Sequence, residues 1–486
     1  MLFFFSIIFN DFYGLLKQNT KNIFYDWDAV VSWNRWAVVL FQGRFPEGTW
    51  HYPQLLPANW SLAYKIMGAE LQFIPRFMCT FFPVFLVLFL FVQGIQKRSY
   101  AFLLAALALY CVLKFSGMYG IDNGYADIPV AFMGFVGLLT FLAGLEKENE
   151  EEKVFYILIG LVISGGAAVT KQAGIYVFLL YPFLFLMFAF RNKKPMNIYI
   201  RFFVFYILVA ILVVIPFYLY AEYLIKTGKN SSEVQYLTQG IHRGKNFLER
   251  LFSAYNEYAW AICKNQGIYI FFFLFSFFIK EGRLYSLLGL GYWLIWAFFF
   301  SYDLRNSALA TPFIVLGTTE GFQKLFDCVY EKMSKLSKIQ IILNVLYITG
   351  IIFVFGIIIF LNFKYPLERL QRKQKDLKMH IGNYDLNKAL YTYHQTTGFK
   401  GKIMSEYQFI GFLPGLESFY VLYHFEDFEG LEHFKKHLSL SDAYYILYPD
   451  WTESSVKLYI EEKIKRNEWI LIFSNIAGHS LVQVKK

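Results

Sequence analysis

The sequence predicts an α-helical polytopic membrane protein, a bundle of about eleven transmembrane helices followed by a small C-terminal α/β extracytoplasmic domain. Three observations carry that prediction. Of the 486 residues, 57% are hydrophobic and 17% charged, whereas soluble domains are about one quarter charged. The mean hydropathy is +0.39. The apolar residues gather into long runs separated by short polar loops, and this pattern stops after Leu361.

A span requires about 20 apolar residues. The runs 73–95, 100–115, 126–145, 154–169, 175–190, 198–220, 268–279, 284–300, 308–322 and 339–361 reach or approach that length. Residues 1–16 form a short further span interrupted by Asn10-Asp11. The chain opens Met1-Leu2-Phe3-Phe4-Phe5; without a basic n-region or small-residue cleavage site this is not a secretory signal. Lys97-Arg98, Arg191 with Lys193 and Lys194, Lys280 with Arg283, and the basic stretch 324–338 fall on alternate connections. The positive-inside rule places those in the cytoplasm. The connections 22–72, 117–126, 170–174, 222–267 and 301–307 then face outward.

The domain organisation follows: residues 1–362 transmembrane, 363–379 a charged linker, 380–486 soluble and, by parity, extracytoplasmic. Helical patterns cover 384–396, 431–438 and 454–466, and strand patterns 419–424, 443–447 and 469–473. The aromatic share of 21% suits lipid-facing surface. The net charge of +10 is spread over loops, and no basic run is interleaved with aromatics, which excludes nucleic acid as a partner. Cys79, Cys111, Cys263 and Cys328 form no CxxC or Cys/His cluster, so neither a disulfide framework nor a zinc site is indicated.

Chemistry concentrates in the outward loops. The first reads Tyr25-Asp26-Trp27-Asp28-Ala29-Val30-Val31-Ser32-Trp33-Asn34-Arg35-Trp36 and continues to Trp50-His51-Tyr52-Pro53-Gln54-Leu55-Leu56-Pro57. It is amphipathic and aromatic, suited to the membrane interface. Asp26 and Asp28 fit helix capping, and equally a general base or hard oxygen ligands for a divalent cation. The second acidic loop, Gly124-Tyr125-Ala126-Asp127-Ile128-Pro129, sets Asp127 at a span edge, where a cap is again the alternative. Lys171 and Arg305 flank apolar runs on the same side. Such cations snorkel, pair or serve a ligand, and Arg grips phosphate with a planar fork. Carboxylates and cations at one boundary suit a phosphate ester whose tail stays in lipid.

These residues resemble a known family. Asp26-Trp27-Asp28-Ala29-Val30 with Trp33-Asn34-Arg35, and Tyr52-Pro53-Gln54-Leu55-Leu56-Pro57, are similar to the first periplasmic loop of glycosyltransferase C superfamily enzymes. The likeness is strongest to the protein O-mannosyltransferase-like and lipid A aminoarabinose-transferase-like branches. Gly124 to Pro129 resembles their second acidic loop, Thr170-Lys171-Gln172-Ala173-Gly174 their Thr-Lys-Gly-Pro-type turn, and Asp303-Leu304-Arg305 the Arg that opens a late span. The likeness runs from about Phe24 to Phe322, with departures at the short first span, at Gln172-Ala173, and at His51 before a single Pro.

The resemblance implies a glycosyltransferase C-like bundle and inverting transfer of a sugar from a polyprenyl-phosphate donor to a hydroxyl of a glycan, lipid or protein. It implies Asp28, Asp26 and Asp127 as catalytic carboxylates, Arg305 and Lys171 as donor-phosphate cations, and His51, Tyr52 and Arg35 as substrate-binding residues. Asp26, Asp28 and Asp127 are also the candidate ligands for Mg or Mn, since the superfamily has members with and without metal. The expected location is the bacterial cytoplasmic membrane, with the site facing the cell-envelope side. Two other functions compete: a lipid-linked glycan polymerase or ligase, and a transporter or flippase. The latter predicts ionisable groups deep in the spans or two similar halves, and neither is apparent.

Overall fold

The computed structural model describes residues 2–334 apart from 20–23, 25, 27, 47–48, 50–51, 116–123, 193–195, 229–244, 263–272 and 300–303. Beyond 388 it describes 389–390, 392–393, 396–398, 402–405, 420–422, 430–440, 443–448, 452–475 and 478–485. The protein is an α-helical polytopic membrane protein. In chain order its helices are α1 (Leu2–Asn19), α2 (Arg35–Phe41), α3 (Leu55–Met67), α4 (Phe73–Gln96), α5 (Tyr100–Phe115), α6 (Asp127–Glu146), α7 (Glu150–Ala168) and α8 (Ala173–Arg191). They continue with α9 (Met196–Val209), α10 (Ile215–Lys226), α11 (Phe247–Ile262), α12 (Lys280–Phe299) and α13 (Ala310–Ser334).

Among the described residues α4, α6, α8 and the run Ile198–Lys226 are long and apolar enough to cross a membrane, and α5 is a shorter apolar helix. In that last run α9 and α10 are joined through a π-turn, Ala210–Val214. Its Ile200, Val204, Ile207, Ile211 and Leu212 are exposed, as lipid-facing residues are. α6 is the central helix, with 72% of its apolar window buried against α4, α7 and α8.

Two features that broke the hydropathy pattern are explained by partners. Asp11, which interrupts the first span, is neutralised by Lys114 at 2.6 Å and accepts the Tyr110 hydroxyl at 2.9 Å. A charge at that depth is tolerated only when paired. Glu150, Glu151 and Glu152, just ahead of the expected span 154–169, form the first turn of α7, where Asn149 Oδ1 accepts the N–H groups of Glu151 and Glu152 at 2.9 and 3.2 Å and the helix dipole favours negative charge.

Some expected bounds shift. The span 308–322 belongs to α13, which runs on to Ser334, because water satisfies a polar helical extension as well as lipid permits an apolar one. The span 284–300 corresponds to α12. Of 268–279, residues 273–276 are helical and 277–279 form a turn, while 268–272 and all of 339–361 lie outside the described residues.

Among the described residues the C-terminal part contains five strands, β1 (Lys402–Ser405), β2 (Tyr420–Leu422), β3 (Ala443–Tyr448), β4 (Trp469–Ser474) and β5 (Ser480–Val484), in the order β2-β1-β3-β5-β4. β2, β1 and β3 run parallel, and β5 joins β3 and β4 antiparallel. The helices α14 (Leu431–Leu440) and α15 (Ser454–Lys465) cover a core of Met404, Phe434, Ile446, Val456, Ile460, Trp469 and Val482. The expected elements at 419–424, 431–438, 443–447, 454–466 and 469–473 are each present within a few residues. β1 and β5 escaped the sequence reading. Within 384–396, the described residues are helical and the others lie outside the description.

Candidate active site

Asp28 stands at the head of a six-residue π-turn, Ala29–Asn34, and its side chain makes no bond to the N–H groups of that turn. Capping therefore does not account for it. Its carboxylate meets the Arg305 guanidinium at 2.9 Å. Arg305 comes from a single 3-10 turn, Leu304–Ser307, just ahead of α13, and its guanidinium lies 4.1 Å from the centroid of the Tyr125 ring, a cation–π contact.

Packing of the first loop brings these segments together. The cluster that buries Ala29 and Val30 with Phe24, Trp33, Trp36, Leu56, Trp60 and Tyr64 also buries Ala126. Asp28 is thereby seated beside Tyr125-Ala126-Asp127. Gly124, at φ +88°, adopts a left-handed backbone, and a Cβ there would stand 2.3 Å from the Phe24 ring. Tyr64 secures the π-turn from α3, donating its hydroxyl to Asn34 Oδ1 at 2.5 Å. Burial, then the Glu70 carboxylate, push the Tyr64 hydroxyl pKa well above its usual value, so it stays a donor.

A second pair lies alongside. Lys171 Nζ meets Asp127 Oδ1 at 2.6 Å and also donates to Asn306 Oδ1 at 2.7 Å. The Asn306 carbonyl accepts the Tyr292 hydroxyl at 2.9 Å. The Lys171 turn is tight because Gly174 lies on the end of α7, where a Cβ would come within 2.2 Å of the Ala167 carbonyl. Thr170 Oγ1 closes the turn on the Gly166 carbonyl at 2.8 Å. Leu55 N–H donates to the Val169 carbonyl at 3.1 Å, hooking the Tyr52-Pro53-Gln54 segment to the same turn.

The two pairs differ in exposure. Asp28 and Arg305 are 36% and 23% exposed, so this pair is partly open to solvent. Asp127 and Lys171 are 6% and 12% exposed. Removing one member of so buried a pair costs roughly 3–5 kcal/mol. The first pair is the more exposed of the two.

An open apolar groove of about 380 Å³ lies between α8 and α12, lined by Gln172, Tyr176, Leu179, Phe183, Tyr292 and Ile295 among others. Tyr292 belongs to both places: its ring lies 5.4 Å from that of Tyr176, and its hydroxyl holds the residue after Arg305.

The same overall arrangement occurs in solved structures. The chain superposes on crystal structures of ArnT from Cupriavidus metallidurans, in the apo state with a TM-score of 0.59 at 9% identity, covering 99% of this chain and 97% of that one. For ArnT bound to undecaprenyl phosphate the TM-score is 0.60 at 8% identity, with the same coverage. The chain has the glycosyltransferase C fold. It also aligns with the apo oligosaccharyltransferase of Archaeoglobus fulgidus, with a TM-score of 0.48 at 13% identity over 92% of this chain and 72% of that chain. No family model and no curated protein sequence matches.

Within this glycosyltransferase C frame the other expected site residues separate. Asp26 lies two residues before Asp28, half-buried, and its carbonyl accepts the Val30 N–H at 3.0 Å. Tyr52 packs edge-on against Trp33 at 5.5 Å, inside the loop's aromatic cluster. Arg35 is exposed at the start of α2, and His51 lies outside the described residues. Among the described residues no three His, Cys, Asp or Glu form a metal-binding group, and Asp28 and Asp127 each carry a basic partner. Sequence reasoning missed Tyr125 and Asn306. Each adjoins a residue it had singled out, but nothing in their types announces a role as platform or bridge.

Proposed function

We propose that the protein is a membrane glycosyltransferase that moves a sugar from a polyprenyl-phosphate carrier to a hydroxyl acceptor on the extracytoplasmic face, with inversion. The observation that carries this reading is the partly exposed Asp28–Arg305 pair, with an apolar groove reached through Tyr292, whose hydroxyl bonds the carbonyl of the residue after Arg305. The likeness to ArnT, which has been solved with undecaprenyl phosphate, supports the class of carrier.

The groove between α8 and α12 takes the first part of the prenyl chain. Lipid tails are as apolar as the groove, so this contact sets position more than affinity. Affinity comes from the phosphate, which offers Arg305 two parallel charge-assisted bonds in place of one carboxylate contact. Donor binding thus draws Arg305 away from Asp28 and frees the carboxylate at the moment it is needed.

Asp28 then accepts the proton of the acceptor hydroxyl as its oxygen bonds to the anomeric carbon. The bond from that carbon to the phosphate oxygen breaks in the same displacement, and the electron pair leaves on the phosphate. A single displacement inverts the anomeric centre. Charge grows on the leaving phosphate in the transition state, where Arg305 on its Tyr125 platform stabilises it most. Positioned proton acceptance of this kind contributes about 10²–10⁴-fold. The C-terminal domain, on the same side by parity, covers the site or binds acceptor.

The test is a transfer assay in membranes supplied with polyprenyl-phosphate monosaccharides and, separately, polyprenyl-pyrophosphate oligosaccharides. Transfer from the former that Asp28→Asn abolishes supports the reading. Transfer only from the latter makes the protein a glycan polymerase or ligase, and an active Asp28→Asn variant removes the base.

A further inference from the structure

The buried pair Asp127–Lys171 is not needed by the chemistry above, and its geometry explains what it does. Lys171 is committed on two sides, to Asp127 Oδ1 at 2.6 Å and to Asn306 Oδ1 at 2.7 Å. Asp127 follows Tyr125 by two residues, and the Tyr125 ring supports the Arg305 guanidinium. Asn306 follows Arg305 directly, and its carbonyl is tied to Tyr292 at 2.9 Å. The pair therefore joins the segment under Arg305 to the segment that carries Arg305. With side chains 6% and 12% exposed, neither member is offered to a ligand as Arg305 is.

Resting on the site reading above, we infer that Asp127, Lys171 and Asn306 form a positioning brace that fixes the Arg305 guanidinium over Tyr125 for the carrier phosphate, and that Lys171 does not itself ligate that phosphate. Arg305 belongs to a 3-10 turn of four residues, a short element with poor internal hydrogen-bond geometry. Without side-chain ties such a turn leaves a long flexible side chain many conformers. The brace removes that freedom before the donor arrives, so less entropy is lost on binding. It also accounts for a cation kept largely out of water beside an anion site: the Asp127 carboxylate cancels its charge, leaving Arg305 as the group that responds to phosphate.

The two roles for Lys171 predict opposite signs. If Lys171 ligated the phosphate, Asp127→Asn would release it and tighten binding; as a brace member it loses its anchor and binding weakens. The experiment is equilibrium binding of undecaprenyl phosphate to the purified full-length chain in detergent, with the unfolding temperature of each variant measured alongside. Asp127→Asn and Lys171→Gln each weaken binding, the double variant Asp127→Asn/Lys171→Gln binds more tightly than either single change because no buried charge is stranded, and Asp127→Glu restores binding.

Asn306→Ala, which strands no charge, leaves the unfolding temperature unchanged and weakens binding by about tenfold, the equivalent of one charge-assisted hydrogen bond. This variant decides the matter if a single charge variant fails to fold. Tighter binding by Asp127→Asn, or parent-like binding by Asn306→Ala, overturns the brace. Arg305→Gln separates the two levels: if it binds like the parent chain the site reading itself fails, and if it loses binding while Asn306→Ala keeps it, only the brace fails.

Discussion

In the proposed mechanism Asp28 and Arg305 are each poor at their task while they hold one another, and the carrier phosphate is the group that separates them. Removing the Asp28 charge should split binding from chemistry. Asp28→Asn is expected to lower sugar transfer by about 10²-fold or more while undecaprenyl phosphate binds at least as tightly, because the Asp28 carboxylate no longer competes with the phosphate for Arg305; parallel transfer and binding assays check this. Arg305→Lys keeps the charge but loses the planar fork and its stacking on Tyr125, and is expected to weaken phosphate binding by about tenfold, one to two charge-assisted contacts. At this scale the sequence exposed the types of residue and their common side of the membrane. It did not expose the pairing, because partners 277 residues apart in number, Asp28 and Arg305, meet only through the packing of an aromatic loop core. Asn306 and Tyr125 act through a side-chain amide and a ring face, groups too common in sequence to signal anything.

The elements that build the site are short irregular pieces set on long regular ones. Long apolar helices announce themselves by composition, which is why α4, α6 and α8 were legible nearly to the residue. The π-turn at Ala29–Asn34 and the 3-10 turn at Leu304–Ser307 were not, since neither has a hydrophobic period of its own. β1 escaped because four residues are too few for an alternation to register. Gly174 gives an element-scale prediction. A side chain there meets the Ala167 carbonyl, so Gly174→Val is expected to displace the Lys171 turn, lowering both the unfolding temperature and undecaprenyl phosphate binding; a parent-like variant on both measures would separate the turn from the site.

For the whole molecule, hydropathy foretold a polytopic helical bundle with a small C-terminal α/β part, and the fold is that bundle. Among the described residues Asp11 and Lys114 pair and fasten α1 to α5. A prediction at this scale concerns the C-terminal domain. Removing residues 363–486 is expected to leave undecaprenyl phosphate binding in place and to reduce transfer or broaden acceptor choice, measured on the same membranes. Hydropathy could not foretell which loop residues converge, because convergence depends on side-chain packing in the interface, where apolar and polar residues mix.

The most direct test of the central claim is a structure of the full chain with undecaprenyl phosphate bound. The account predicts phosphate oxygens within hydrogen-bond distance of the Arg305 guanidinium, the prenyl chain in the groove of Tyr176, Leu179 and Tyr292, and Asp28 released from the 2.9 Å contact it makes here. A phosphate bound elsewhere, or one bound with the Asp28–Arg305 pair intact, would contradict it.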